Sequence, residues 1–336
     1  MRKSFKNIFV SILSIFITLI AVGIIYIICS RNNHVTVEEG ETYTSEEVEE
    51  LVEDAKEEGR QSVLDELRAS LTEGNAVISV LKDFYPDYII VAANSKYNFV
   101  PIDHSLSMND YNIDCLVEDE ATGWYQYTQD GTVTSHMGID VSSHQGDIDW
   151  QAVADSGVEF ALIRAVYRGY GTGKLVVDDN CIQNIEGAQA AGIKVGVYVF
   201  SQAITNAEVL EEATTVETLL EGYTLDLPIV FDVEKVNDSS ARANQLTVDE
   251  RTNITKAFLE EVSSKGYDTM IYHNTEMGAM LLDLTQLTDY SKWFAGYNKE
   301  FYWPYEYDLW QYSESGSVDG ISGNVDLDIW LSNYPY

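Results

Sequence analysis

The stretch that decides the fold is Leu227-Pro228-Ile229-Val230-Phe231-Asp232-Val233-Glu234, an apolar run that ends in two acids. An apolar run of this length predicts a strand. Side chains alternate along a strand, so Asp232 and Glu234 should project from one face, with Cβ atoms about 6 to 7 Å apart. This spacing suits two carboxyl groups that cooperate in acid–base chemistry.

The same run is one of eight strand candidates from residue 138 onward. They alternate with helical segments, which is typical of parallel β/α units. Three intervals, 178–191, 206–220 and 247–265, are long enough for helices, whereas the last three strands have short connections. We therefore predict an α/β fold, an irregular TIM-like β/α barrel with abbreviated last helices and its active face at the carboxyl ends of the strands. The strand candidates are residues 138–141, 160–166, 194–201, 227–234, 269–273, 293–297, 307–312 and 325–330.

Three of these strands carry acids that a barrel would bring together. Asp140 lies in the first strand, Asp232 and Glu234 end the fourth, and the eighth contains Asp326 and Asp328. The first and eighth strands of a closed barrel are neighbours, so Asp140 and Asp326 should face the other pair across a pocket. Any one of these acids taken alone is most simply a helix cap, a turn residue or a surface charge. Burying several carboxylates together costs free energy, so the set predicts a functional site.

At these residues the chain resembles glycoside hydrolase family 25, the N-acetylmuramidases also called Chalaropsis-type lysozymes. The resemblance covers residues 137–330 and rests on an ordered set of motifs. It implies cleavage of the β-1,4 bond between N-acetylmuramic acid and N-acetylglucosamine in peptidoglycan, with no metal or organic cofactor. The motifs are GIDVSSHQG from Gly138, FALIRA from Phe160, GVYVF from Gly196, FDVE from Phe231, WFAGY from Trp293, WQY from Trp310 and VDGISGNVDLD from Val318.

The resemblance also implies roles for the acids. Glu234 matches the acid that protonates the glycosidic oxygen, and Asp232 the acid that polarises or orients the 2-acetamido group of the sugar. Asp140 and Asp326 match the other two site acids. No nucleophile is assigned, because attack by the acetamide oxygen and inversion by an activated water are both compatible with this pattern. Asp328 stands where the family often has Asn, and its extra charge either shifts the pH optimum or faces solvent.

Polar and aromatic side chains near the strand ends are candidates for sugar binding. Aromatic rings can stack on sugars, while Arg164 and Gln311 can donate hydrogen bonds; ordinary barrel packing is an equally good interpretation of the rings. The predicted substrate-binding residues are Tyr198, Arg164, Tyr297, Trp310, Gln311 and Tyr312.

The amino-terminal segment predicts a single-pass membrane protein. Residues 8–28 are almost all apolar and none is charged, and as a helix they would extend about 31 Å, enough to cross a hydrocarbon core. Arg2, Lys3 and Lys6 precede the segment and acids follow it, so the positive-inside rule keeps the amino terminus in the cytoplasm and places the catalytic domain outside the cell membrane. A cleavable signal peptide is the alternative, but the apolar run continues past the small residues 21–23, which favours a retained anchor.

Changes in composition predict four parts. Thr44 and Glu47 have capping-box spacing at the start of an acidic helical segment that we interpret as a stalk. A solvated amphipathic helix is favoured there over a dimerising coiled coil, because Gly59 lies in mid-helix and the apolar seam has few clean heptads. The parts are residues 1–33, cytoplasmic tip and membrane anchor; 34–75, helical stalk; 76–135, a small extracytoplasmic α+β module; and 136–336, a catalytic barrel expected to act as a fragment.

The amino-acid composition limits the classes of molecule that the protein can bind. The net charge of −35 repels the phosphates of DNA and RNA, so nucleic-acid binding is excluded. Cys29, Cys115 and Cys181 are far apart and indicate neither a zinc site nor a disulfide framework, although one Cys115–Cys181 bridge stays open. The expected partners are peptidoglycan glycan strands and, through one amino-terminal helix, the membrane. The alternative function is a membrane-tethered protein that binds wall glycan, or acts as a scaffold, without cutting it.

Overall fold

The computed structural model describes residues 36–37, 41–73, 77–297 and 303–331. The predicted membrane segment, residues 8–28, and Cys29 lie outside the described residues. Across the described ranges, no helix is both long and apolar enough to cross a bilayer. The chain divides into two compact units, Met1–Val80 and Leu81–Tyr336.

One long helix dominates what is described of the first unit. Strands β1 (Thr36–Val37) and β2 (Glu41–Thr42) pair antiparallel and are followed by helix α1 (Ser45–Thr72). The predicted capping box is present: the Thr44 hydroxyl accepts from the Glu47 backbone N–H at 3.2 Å, and the Glu47 carboxylate accepts from the Thr44 N–H at 2.7 Å. None of the α1 residues is buried, as expected for a solvated helix. Helix α2 (Val77–Phe84) spans the boundary between the units.

Two small sheets begin the second unit. Strands β3 (Tyr88–Ala93) and β4 (Lys96–Pro101) form a hairpin, and β5 (Leu116–Glu118), β6 (Tyr125–Gln129) and β7 (Thr132–Val133) form a meander. Asp130 and Gly131 both have positive φ in the tight β6–β7 turn, the conformation that an Asp-Gly dipeptide favours between two antiparallel strands.

A closed barrel of eight strands follows, as predicted. Strands β8, β9 and β11 to β15 run parallel around the ring, and β16 closes it against β8. The strands are β8 (His136–Val141), β9 (Phe160–Arg168), β10 (Leu175–Val177), which pairs with β9 outside the ring, β11 (Lys194–Ser201), β12 (Ile229–Val233), β13 (Thr269–Asn274), β14 (Ser291–Ala295), β15 (Leu309–Gly316) and β16 (Val325–Trp330).

Helices cover the outside of the first two thirds of the ring. The three predicted helical intervals are occupied, and a capping hydroxyl starts two of them: Thr205 accepts from the backbone of Glu208, and Thr247 from that of Glu250. After β13, the described connections contain only short helical turns. The helices are α3 (Trp150–Asp155), α4 (Cys181–Ala190), α5 (Asn206–Leu219) and α6 (Val248–Ser264).

The direction of β16 differs from the parallel order that alternating units predict. β16 runs antiparallel to both β15 and β8. The eight residues between β15 and β16 are too few for a crossover to a parallel strand, which takes a dozen or more, but they suffice for a hairpin. The amino end of β16 therefore lies at the carboxyl ends of the other strands, and this reversal places Asp326 opposite Asp140.

Two apolar clusters hold this unit together. Phe160, Leu162, Met270 and Trp330 belong to the cluster inside the ring. The outer cluster lies between the strands and the helices, and it also contains side chains from the sheets that precede the barrel, including those of Ile89, Val91, Leu116 and Tyr127. Residues 81–135 thus share a hydrophobic core with the barrel.

Candidate active site

Four acids meet at the carboxyl-terminal face of the barrel. Asp140 is the penultimate residue of β8 and pairs in register with Asp326 near the start of β16. Asp232 is the penultimate residue of β12, and Glu234 follows directly after that strand. The charge of Asp326 raises the pKa of Glu234, and that of Asp232 raises the pKa of Asp140, as expected for carboxyls that share one pocket.

Glu234 is partly buried, and its environment favours the protonated form. Burial raises its pKa to about 7, against an opposing hydrogen bond with the Tyr272 hydroxyl. The backbone carbonyl of Glu234 accepts from Gln202 Nε2 at 3.0 Å, which fixes the chain where it leaves β12. A carboxyl group with this pKa can hold and deliver a proton near neutral pH.

Asp232 lies beside Glu234 and is 6% exposed. Burial raises its pKa well above the usual range, the charge of Glu234 raises it further, and the Arg164 guanidinium opposes both. Its Oδ1 atom has no hydrogen-bond partner among the described residues. A buried carboxyl oxygen without a donor is costly, so it is available to a donor on a ligand.

Arg164 reaches the site from β9 and is held by an acid of its own. Its Nε donates to Asp178 Oδ2 at 2.9 Å, and its Nη2 lies 2.8 Å from the same oxygen. The same carboxylate oxygen accepts from the backbone N–H and the hydroxyl of Ser143, both at 3.1 Å. Arg164 is therefore oriented before any ligand binds, and from this position its charge lowers the pKa of Asp232.

A hydrogen-bond network supports Asp140. Gln311 donates from Nε2 to Asp140 Oδ2 at 2.6 Å. Its Oε1 accepts from the hydroxyls of Tyr272 at 2.7 Å and Tyr297 at 2.9 Å, which fixes the orientation of the amide. Burial is the main cause of the raised pKa of Asp140, followed by the charges of Asp326 and Asp328.

The two acids of β16 have different environments. Asp326 is partly exposed, and burial raises its pKa to about 6 against an opposing hydrogen bond with Asp140. Asp328 is fully buried and accepts from Trp293 Nε1 at 2.9 Å. The expectation that Asp328 could face solvent is therefore wrong, because residues two apart on a strand share a face and this face points into the barrel.

The structure places only some of the predicted sugar-binding residues at this face. Tyr198 is in the ring interior among the acids, and Tyr297 is 48% exposed. Trp310 and Tyr312 flank the inward-facing Gln311 and therefore point outward. Their rings pack against Tyr125 of β6, with centroids 5.7 and 4.9 Å away. Both are almost fully buried there, so the prediction that they stack on a sugar is corrected.

Comparison with known protein families agrees with this geometry. The family described as glycosyl hydrolases family 25 matches residues 139–321, more than half of the chain. The chain belongs to glycosyl hydrolase family 25. The matched residues run from β8 into the connection between β15 and β16, and they carry Asp140, Asp232 and Glu234.

Two bacterial proteins named as lysozymes are similar to this chain in sequence. The autolytic lysozyme of Clostridium acetobutylicum is 32% identical over 192 residues, which are 57% of this chain and 54% of that protein. The chain thus spans about half the length of this relative. Lysozyme M1 of Streptomyces globisporus is 29% identical over 208 residues, 56% of this chain and 66% of that protein.

Solved structures share the fold. A bacterial lysozyme from Streptomyces coelicolor superposes with a TM-score of 0.51 at 26% identity, over 59% of this chain and 93% of that chain. The modular autolysin LytC from Streptococcus pneumoniae superposes with a TM-score of 0.55 at 23% identity, over 72% of this chain and 58% of that chain, a likeness of fold alone.

Two residues at the family 25 site were not predicted from sequence. Tyr272 pairs in register with Asp232, so its place in a predicted strand was a usable signal. Asp178 lies before α4, 14 residues after Arg164, and no local pattern connects the two. Cys115 and Cys181 are both free, so the bridge left open between them is absent.

Proposed function

We propose that this family 25 protein is a peptidoglycan hydrolase, an N-acetylmuramidase of the lysozyme type. It would cleave the β-1,4 bond between N-acetylmuramic acid and N-acetylglucosamine. The observation that carries the proposal is the Glu234 carboxyl, whose pKa is raised to about 7 next to a second buried acid, Asp232, at the active face of the barrel. The similarity to proteins named as lysozymes supports the same substrate class.

The proposed mechanism assigns one role to each acid. Glu234 donates its proton to the glycosidic oxygen as the bond breaks. Asp232, with its free Oδ1, accepts the N–H of the 2-acetamido group and orients that group beneath the anomeric carbon. Asp140 and Asp326 supply negative charge where the oxocarbenium-like transition state develops positive charge. The anomeric configuration of the first product distinguishes acetamide attack from inversion.

The proposed substrate contacts follow from how far each candidate side chain is exposed to solvent. Tyr297 presents an exposed ring that can stack on a sugar, while its hydroxyl is held by Gln311. Arg164 can donate to a sugar oxygen without losing its anchor on Asp178. Tyr198 lies deeper among the acids and shapes the pocket floor.

We also propose that residues 8–28 anchor the protein in the cell membrane with the barrel outside. The apolar composition of the segment and the positive charges before it support this orientation. Helix α1 has 28 residues and is about 42 Å long, so it would serve as the stalk. The protein should sediment with membranes after alkaline washing and should become soluble when residues 1–33 are removed. Release of the intact chain by the wash alone would contradict the anchor.

The activity is tested on purified peptidoglycan with the full chain in mild detergent. Digested muropeptides are identified by mass spectrometry, and we expect new reducing ends on N-acetylmuramic acid. Glu234→Gln should lower the rate by at least about 100-fold, because the amide cannot donate the proton at neutral pH. The matched control is Glu260→Gln on the exposed face of α6, which should leave the rate unchanged.

Two outcomes would overturn the proposal. New reducing ends on N-acetylglucosamine would assign the cleavage to the other glycosidic bond. Binding to the wall without any new reducing ends would favour the glycan-binding scaffold instead.

A further inference from the structure

The surroundings of Asp328 are unusual for an ionised acid. Its side chain is fully buried on β16, and among the described residues its only N–H donor is the Trp293 indole on Oδ1. Its Oδ2 has no N–H or hydroxyl donor among the described residues. The carboxyl of Asp140 on β8 is its neighbour on the same face, because Asp328 pairs in register with Gly138 and Asp326 with Asp140, and the pKa of Asp328 responds to a hydrogen bond with Asp140.

No cation neutralises this cluster in the part of the chain that the structure describes. None of the ion pairs there involves Asp140, Asp326 or Asp328. Three carboxylates this close together and largely removed from water cannot all be ionised, so the cluster must retain a proton. Asp326 is the best solvated of the three and can carry its charge most easily.

The position of the retained proton follows from the hydrogen bonds. Asp140 Oδ2 already accepts from Gln311. A proton on Asp328 Oδ2, directed at Asp140, gives that otherwise unpartnered oxygen a partner and gives Asp140 a second donor. The other groups around the pair are Asp326 on β16, Gln311 and Tyr312 on β15, Trp293 on β14, Tyr297 just after that strand, Asp232 on β12 and Tyr198 on β11.

We propose that Asp328 and Asp140 share one proton, and that Asp328 is a positioning residue that holds Asp140 through this hydrogen bond. The pair then carries one negative charge instead of two. Asp140 is fixed from two strands, by Gln311 and by Asp328, and it presents that single charge toward the reacting sugar. The catalytic consequence rests on the proposed muramidase function, whereas the shared proton does not.

The direct test is infrared difference spectroscopy of the full chain at about pH 9, where Glu234 and Asp326 are almost fully ionised. We expect Asp328→Asn to lose one carboxylic-acid C=O band of the wild type, whereas any band from Asp232, whose pKa is also raised, should remain in both spectra. The matched control, Asp249→Asn in the exposed first turn of α6, should keep all the wild-type bands. Identical carboxylic-acid bands in the wild type and Asp328→Asn would overturn the shared proton.

Kinetics on peptidoglycan test the positioning role. Asp328→Asn keeps a donor directed at Asp140 and the same net charge. Its kcat should therefore stay within about twofold of the wild-type value, and its pH profile within about half a pH unit of the wild-type profile. Asp328→Leu removes the donor and should lower kcat about 10- to 100-fold with little change in KM. A shifted pH profile in Asp328→Asn would show that Asp328 acts as a charge and would overturn the proposal, as would full activity in a folded Asp328→Leu. If Asp328→Leu does not fold, the infrared test and the pH profile of Asp328→Asn test the proposal.

If the wild type cuts no peptidoglycan, only the proposed function fails. The infrared band reports the shared proton independently of turnover.

Discussion

Glu314 is an exposed acid on β15 whose charge reaches two carboxyls of the site. It raises the pKa of both Glu234 and Asp326, in each case less than burial does. In the proposed mechanism Glu234 must be protonated and Asp326 ionised. Activity should therefore fall as the pH rises through about 7, where Glu234 loses its proton, and as it falls through about 6, where Asp326 gains one.

Replacing this remote charge gives a prediction with a definite sign. Glu314→Gln removes a negative charge, so both pKa values should decrease and both limbs of the pH profile should move to lower pH. A shift of a few tenths of a pH unit is expected, because solvent screens an exposed charge. The measurement is kcat/KM against pH at low salt, with Glu260→Gln as control. A shift to higher pH, or movement of the control, would contradict this assignment.

At the scale of elements, a buried ion pair connects β9 to α5. Arg168 Nε donates to Glu212 Oε1 at 2.6 Å, and both side chains are almost completely buried. Glu212 Oε2 accepts from the Ser201 hydroxyl at 2.7 Å, and Arg168 also donates to the Gly173 carbonyl at 2.8 Å. The pair thus fixes the carboxyl end of β9, four residues beyond Arg164.

Breaking this pair should destabilise the barrel strongly. Arg168→Met leaves the Glu212 carboxylate buried without its cation, which should lower the free energy of unfolding by about 3–5 kcal/mol. Adding Glu212→Leu should recover much of that loss, because the unpaired charge is gone. Urea denaturation followed by tryptophan fluorescence reports on this unit, since all six tryptophans of the chain lie in it.

The control for the ion pair is Glu211→Gln. Glu211 is 59% exposed and also contacts Arg168, at 2.9 Å, but its removal should have little effect. If the double variant were as unstable as Arg168→Met alone, packing rather than the unpaired charge would explain the loss.

At the scale of the whole molecule, residues 81–135 belong to the structure of the barrel unit. Tyr125 covers Trp310 and Tyr312 on the outside of β15. At the tip of the β3–β4 hairpin, Asn94 accepts from Lys235 Nζ at 3.3 Å, next to Glu234 in sequence. The sheets that precede the barrel therefore pack on its outer face and reach the edge of the candidate site.

A fragment of residues 136–336 should consequently be less stable than one of residues 81–336. Removal of the small sheets exposes Trp310, Tyr312 and their neighbours to water, and we expect Tm to fall by at least about 5 °C. Differential scanning calorimetry of the two fragments measures this, and Tyr125→Ala in the longer fragment should reproduce part of the loss. Equal Tm values would instead support the domain boundary predicted at residue 136.

Much of the barrel was readable from the sequence because short-range patterns specify it. The apolar runs predicted eight strands, and the intervals between them predicted α4, α5 and α6. The alternation of side chains along β15 also held the information needed to orient Trp310 and Tyr312. If Gln311 points inward, these two neighbours must point outward. The acids at strand ends were found because each lies within a few residues of the run that positions it.

What the sequence by itself determined is therefore the set of strands, their order and the acids they carry. Only the tertiary structure decided that β16 is antiparallel, that Asp178 anchors Arg164, and that Asp328 is buried against Asp140. The physical reason is that strand direction, ion pairing and protonation depend on neighbours distant in sequence. Arg164 and Asp178 are 14 positions apart, and Asp140 and Asp328 are separated by almost the full length of the barrel. These contacts exist only once the ring has closed.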